Sequence, residues 1–230
     1  MNQLIGKNFF IFCHGFCSKK ESNSIEIVAK ELLKNEITSI SFDFPGHGES
    51  EQDISKLTVD VCISYIDSVI SYIKQEFGTD VNISFYAISF GAYILLNKLI
   101  NDKDNYSNII LRSPAINMKE ILLKSLLKDS LSSYKETGKA RAGHNGEKEI
   151  PYSFLEDIEK NDLYKNYKEK RKMIIIQGTL DDTALIKDTY KFIMNKPEIQ
   201  LIEIKGLNHH MEPKEIKGIT KKMIEVLKLT

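Results

Sequence analysis

The 230-residue chain has no tryptophan, only three cysteines and five prolines, and no net charge, with 32 Lys plus Arg against 32 Asp plus Glu. Balanced charge removes the electrostatic case for a nucleic-acid partner or an anionic membrane surface. Cys13, Cys17 and Cys62 are odd in number and lack framework spacing, which argues against a disulfide scaffold and for a reducing compartment. No apolar run approaches the length needed to span a bilayer. The opening MNQLIGKNFFIFCHG has neither a basic leader nor an apolar stretch of signal length. These absences predict a cytoplasmic protein with no stable membrane insertion. Neither a Gly-x-x-x-x-Gly-Lys-Ser/Thr phosphate loop nor a Gly-x-Gly-x-x-Gly fingerprint occurs, so no cofactor is expected.

What is present is an ordinary globular composition, 42% hydrophobic and 28% charged, which excludes wholesale disorder and is read as one domain over residues 1–230. Short apolar runs at Phe9–Cys13, Ile40–Phe44, Val81–Tyr86, Ile109–Leu111, Met173–Ile176 and Ile199–Ile204 are continuous rather than alternating. That pattern fits strands covered on both faces. Between them, helical periodicity predicts helices over Ser24–Asn35, Thr58–Phe77, Phe90–Asn101, Thr183–Asn195 and Pro213–Lys228. In the second of these, Val61, Tyr65, Val69, Ile70 and Ile73 are expected to form the apolar stripe. Strands alternating with helices imply right-handed β-α-β units and an α/β fold with a parallel sheet. Residues 117–170 break the alternation, with helical stretches and a polar middle but no convincing strand, and are read as a helical insertion able to cover a site.

The chemistry concentrates at strand ends. In Val81–Asn97 an apolar strand runs into Ala87-Ile88-Ser89-Phe90-Gly91 and then a helix. A serine that must project from a tight strand-to-helix turn needs small neighbours two positions either side, as Ala87 and Gly91 are. Ser89 is therefore the candidate nucleophile. Phe9–Ser18 ends a strand at His14-Gly15; there a turning backbone could present the Phe16 N–H to an oxyanion, together with the Phe90 N–H after the nucleophile. His14, Gly15 and Gly91 are supporting residues. Ser41–Ser50, SFDFPGHGES, supplies a sharp glycine turn beside the site, with His47 in a structural role. Late in the chain, IIIQGTLDDTA offers Asp181 and Asp182, and LIEIKGLNHHM offers His209 and His210. Asp181 is taken as the carboxylate that orients a base and Asp182 as a helix cap. Adjacent histidines without an i, i+4 partner or a nearby cysteine do not make a metal site.

FCHGF, DFPGHGES, AISFG, QGTLDD and GLNHH stand in the order, and at roughly the intervals, found in α/β hydrolases. The chain resembles small bacterial cinnamoyl (feruloyl) esterase-like members, which overlap with serine-aminopeptidase-like and monoacylglycerol-lipase-like groups. LRSPAI at Leu111–Ile116 is similar to the strand leading into their lid. Carried over by position, the resemblance implies Ser89 as nucleophile, Asp181 as acid three residues after Gly178, and His209 as base three residues after Gly206. Ala87 stands where the family more often has glycine, and Ala184-Leu185 where it usually has valine and proline. About eight residues precede the first strand, too few for the family's two extra N-terminal strands at roughly 3.3 Å per residue. The expectation is a three-layer fold with about six strands in the order 2-1-3-4-5-6. The implied activity is cleavage of a small-molecule carboxylic ester, with short or aromatic acyl groups placed first. Monoacylglycerols, thioesters and peptides stay open, as does a non-catalytic ligand-binding protein, and the oligomeric state is not legible.

Overall fold

A computed structural model of the chain describes residues 7–228. The first six residues of the stretch read above for a leader lie outside it. Its main sheet is built from β1 (Asn8–Cys13), β2 (Thr38–Ser41), β3 (Asn82–Ile88), β4 (Ile109–Arg112), β7 (Met173–Gly178) and β8 (Ile199–Ile204). The spatial order is β2-β1-β3-β4-β7-β8 and every pairing is parallel. This is the six-strand order expected from the sequence. The order reverses beside β1, which opens a crevice between the C-terminal ends of β1 and β3.

The continuous apolar runs reflect burial on both faces. Phe9, Ile11 and Cys13 of β1 enter one core, with Phe85 and Ala87 of β3, while Phe10, Phe12, Tyr86 and Ile88 enter the other. The first core is covered by α2 (Val59–Phe77) and α3 (Phe90–Leu99), the second by α1 (Asn23–Leu33) and α9 (Pro213–Lys228). Helix α2 begins at Thr58, whose hydroxyl accepts from the Val61 amide at 3.1 Å, and stops at Gly78 with φ +88°. It buries Val59, Cys62, Ile66, Ile70 and Ile73; of the expected stripe Ile70 and Ile73 pack inward and Val69 partly so, while Val61 and Tyr65 are only half-buried. Ends also shift. β2 stops at Ser41, one residue after the apolar run begins, and Phe42 and Phe44 pack into the core from the loop instead.

Between β4 and β7 lies the insertion: α4 (Met118–Ile121) continuing as a wide π turn over Leu122–Leu126, α5 (Leu131–Thr137), β5 (Lys139–Ala142), β6 (Lys148–Pro151), α6 (Tyr152–Lys160) and α7 (Leu163–Asn166). The expectation of a purely helical segment is corrected here. β5 and β6 pair antiparallel from Lys139↔Pro151 to Ala142↔Lys148. Their four-residue strands bury only Ala140, Ala142 and Ile150, too little apolar pattern to stand out, and Gly143 (φ +109°) and Gly146 (φ +69°) make the connecting loop. The insertion is pinned to the sheet domain by Asp157 accepting from the Val59 amide at 2.6 Å, and by Lys148 Nζ donating to the Gly46 carbonyl at 2.7 Å.

Leu111 sits fully buried in β4, between β3 and β7. Leu111→Ala should lower unfolding free energy by about 2–5 kcal/mol in a urea titration, without changing the far-UV spectrum of the folded state.

Candidate active site

The first element of the site is a strained turn. Ser89 joins β3 to α3 with φ +50° and ψ −111°, a backbone conformation costing about 1–3 kcal/mol for a residue with a β-carbon. Its surroundings hold it there: its N–H donates to the Arg112 carbonyl at 3.0 Å, and its own carbonyl accepts from Tyr93 and Ala115 at 3.1 Å. Gly91 is obligatory at this turn. A β-carbon there would lie 2.6 Å from the His14 carbonyl oxygen and closer still to that of Cys13. Ala87 fits without strain in the first core.

Three loops bring three side chains together. His209 Nε2 lies 3.1 Å from Ser89 Oγ, and His209 Nδ1 lies 2.9 and 3.0 Å from the two Asp181 oxygens. With Nδ1–H donating to the carboxylate, Nε2 is left to accept the serine proton. Asp181 Oδ1 also accepts from the Thr183 and Ala184 amides at 3.1 and 2.8 Å, so the carboxylate is held from its own loop. Gly178, at the end of β7, lets the histidine loop approach, since a β-carbon there would collide with the Leu207 carbonyl.

Asp182 does not cap the following helix as expected. That helix, α8 (Ile186–Ile193), starts later, after Leu185. Asp182 instead accepts from Asn208 Nδ2 at 3.0 Å while its amide donates to Asn208 Oδ1 at 3.1 Å. Asn208 Oδ1 accepts from the His209 amide as well, at 2.6 Å. This Asp182–Asn208 pair staples the Asp181 loop to the His209 loop. Sequence reading missed it because the partners are 26 residues apart.

The Phe16 and Phe90 amides flank the serine from the β1 loop and the start of α3. Among the described residues neither has an acceptor of its own, and for Phe90 that follows from its place at the first helical position. Their rings pack edge to face with centroids 5.5 Å apart, which fixes the two segments against each other. Gly15 differs from expectation: its φ is not positive, so it does not need glycine's freedom for the turn. A β-carbon there would stand 3.6 Å from Ser89 Cβ. His14 braces the same loop, with Nδ1 donating to the Gly15 carbonyl at 2.8 Å and Nε2 accepting from the Phe44 amide at 3.0 Å. Asp43 completes the brace by accepting from the Lys20 and Glu49 amides at 2.7 and 3.0 Å.

In front of Ser89 and His209 lies a cleft of about 370 Å³, walled on one side by Met118, Ile121, Ser125 and Leu126 of the insertion. Cys17 also lines it, but burial pushes its thiol up to about 12, so it is no thiolate nucleophile at neutral pH. His144 and His210 are exposed on its rim with rings 5.5 Å apart. Among the described residues no group of three His, Cys, Asp or Glu side chains is placed to hold a metal, and no helix is long and apolar enough to cross a membrane.

Residues 6–192 match the family model described as serine aminopeptidase, S33. The chain belongs to this family. Membership of this hydrolase family supports hydrolytic activity. A search of curated proteins returns no match. Among solved structures the chain is similar to Est1E from Butyrivibrio proteoclasticus with ferulic acid bound, at 17% identity and TM-score 0.79, covering 100% of this chain and 94% of that one. It is similar to mouse alpha/beta hydrolase domain-containing protein 10 at 18% identity and TM-score 0.75, covering 96% and 90%. A monoacylglycerol lipase from Paleococcus ferrophilus shares 16% identity at TM-score 0.70, covering 95% and 93%. At these identities the structures establish a shared α/β-hydrolase fold.

Two tests follow from this packing. Gly91→Ala should abolish labelling of the protein by a fluorophosphonate, because the elbow cannot close on β1; retained labelling would show that the turn tolerates the methyl. His47 is fully buried, with Nδ1 donating to the Pro45 carbonyl at 2.8 Å, and burial, helped by neighbouring His14, lowers it from the usual 6.5 to about 4. The unfolded chain therefore takes up protons first as pH falls. Stability present above pH 6.5 should be lost between about 6.5 and 4, by about 3 kcal/mol from this group. Urea titrations at pH 7.5 and 4.5 should show that loss reduced in His47→Asn.

Proposed function

We propose that the protein is a serine esterase that cleaves carboxylic esters of small molecules through an acyl-enzyme, with Ser89 as nucleophile, His209 as base and Asp181 as its orienting carboxylate. The observation that carries this reading is the unbroken hydrogen-bond chain from Ser89 Oγ through the His209 ring to Asp181, assembled from three separate loops. Ser89 Oγ attacks the ester carbonyl as its proton passes to Nε2. The new C–O bond places negative charge on the former carbonyl oxygen, which the Phe16 and Phe90 amides receive. Collapse expels the alcohol, protonated by His209, and water then attacks the acyl-enzyme with His209 again taking the proton. Asp181 stabilises the imidazolium formed in each half.

The insertion acts as the lid of a single α/β-hydrolase domain, its apolar Met118, Ile121 and Leu126 facing the acyl group. A ferulic acid complex of a fold relative supports aromatic or short acyl esters as the first substrates to try. An aminoacyl substrate is the second reading. It is favoured by Glu147, which lines the cleft and could hold an α-ammonium group. Three free thiols support a cytoplasmic location.

A fluorophosphonate should label the wild type and not Ser89→Ala, and Ser89→Ala should lose on the order of 10⁴-fold or more in kcat on 4-nitrophenyl esters. Equal labelling of the variant, or none of the wild type, would favour a binding protein on a hydrolase scaffold. Feruloyl esters and aminoacyl anilides in the same assay separate the two substrate readings.

A further inference from the structure

Of the three arginines in the chain, two have evident structural partners. Arg171 donates to the carbonyls of Asp102 and Asp104, and Arg141 lies 3.7 Å from Asp129. Arg112 has none. It is the last residue of β4 and only 6% exposed, in register with Ile88 of β3 and Ile176 of β7. Both flanking side chains on its face of the sheet are therefore aliphatic. Its Nε and Nη1 are buried without a hydrogen-bond partner, and no Asp or Glu oxygen comes within ion-pair distance among the described residues.

A guanidinium carries five N–H donors and stays charged, so leaving it buried and unpaired is costly unless something else fills its donors. Arg112 lines the same cleft as Ser89 and His209, and its own carbonyl accepts the Ser89 amide. Ser22, the N-cap of α1, and Ser24, in its first turn, line the cleft too. The N-terminal end of this 11-residue helix adds positive potential there. Glu147, the acid lining the cleft, accepts from the Asn145 amide at 2.8 Å, which orients it within its own turn.

We infer that Arg112 is the anchor for a carboxylate carried by the substrate, so that the enzyme prefers esters bearing a negative charge a few bonds from the scissile carbonyl. The planar fork would engage both carboxylate oxygens, supplying the missing acceptors and setting which end of the ester enters first. This inference rests on the hydrolase reading and narrows its substrate class.

The test compares kcat/KM of the wild type on two matched pairs. One is mono-4-nitrophenyl adipate against 4-nitrophenyl hexanoate, with charge on the acyl side. The other is 4-acetoxybenzoate against phenyl acetate, with charge on the leaving side, and each pair is corrected for its alkaline hydrolysis rates. The anionic member of at least one pair should be favoured by about 10- to 100-fold, the worth of a charge-assisted contact. Arg112→Met should collapse that ratio mainly through KM, and Arg112→Lys should restore part of it. Equal rates within both wild-type pairs, or a ratio that survives in Arg112→Met, would overturn the inference. Should the variants fail to fold, the wild-type comparison decides alone. Fluorophosphonate labelling without turnover of any of the four esters overturns the charge preference and leaves the serine hydrolase standing. No labelling and no turnover sinks both.

Discussion

The site depends on a backbone-to-backbone approach: the start of α3 lies so near the end of β1 that only a hydrogen fits on Gly91. That contact forces the turn at Ser89 into a left-handed conformation, and the turn in turn aims the side chain out of the sheet. The same approach brings the β1 loop beside the start of α3, so that the Phe16 and Phe90 amides border one small volume. Hydrogen bonds from Tyr93 and Ala115 to the Ser89 carbonyl, and from Ser89 to the Arg112 carbonyl, offset the strain locally. Three parallel strands must end at nearly the same level for this to work, which the registers Cys13↔Ala87 and Ile88↔Arg112 provide.

Around that contact the polar groups fall into two kinds. One kind is consumed by the scaffold. His14 bridges Gly15 and Phe44, Asp43 gathers two loop amides, and Asp182 with Asn208 ties the Asp181 loop to the His209 loop. These bonds hold loops that the sheet alone would leave free to move. The other kind is left with capacity to spare: the Ser89 hydroxyl, the amides beside it and the Arg112 guanidinium. Buried polar groups without partners are rare in folded proteins, and the unpaired Arg112 nitrogens belong to a residue that lines the same cleft as Ser89. The insertion walls one side of it with the apolar side chains of Met118, Ile121 and Leu126.

Much of this was legible along the chain because each signal is local. Strands covered on both faces leave continuous apolar runs, and small-x-Ser-x-small between a strand and a helix marks a tight turn. Asp181 and His209 each follow a strand and a glycine at a fixed short interval. The signals that failed were those whose burial is decided from outside the segment. The β5–β6 hairpin buries three small or aliphatic side chains, and its pairing gains from contacts that Lys148 and the short 3₁₀ turn at Ile54–Lys56 make across about a hundred residues. The inward face of α2 was partly misjudged because Val61 and Tyr65 are as apolar as the residues that do pack, and only the sheet beneath selects among them.

Local sequence thus determined most of the elements, their alternation and the parallel direction of the main sheet, and it marked the residues that could react. What tertiary structure alone decided is which of those residues share an atom-scale environment. The distance from Ser89 to His209 spans 120 positions of chain and closes to 3.1 Å only when β3 and β8 end at one rim. The orphaned state of Arg112 is equally invisible in one dimension, because lacking a partner is a property of every neighbour at once. Spacing along a chain carries the geometry of a single helix or turn; convergence of distant loops is set by how whole layers pack.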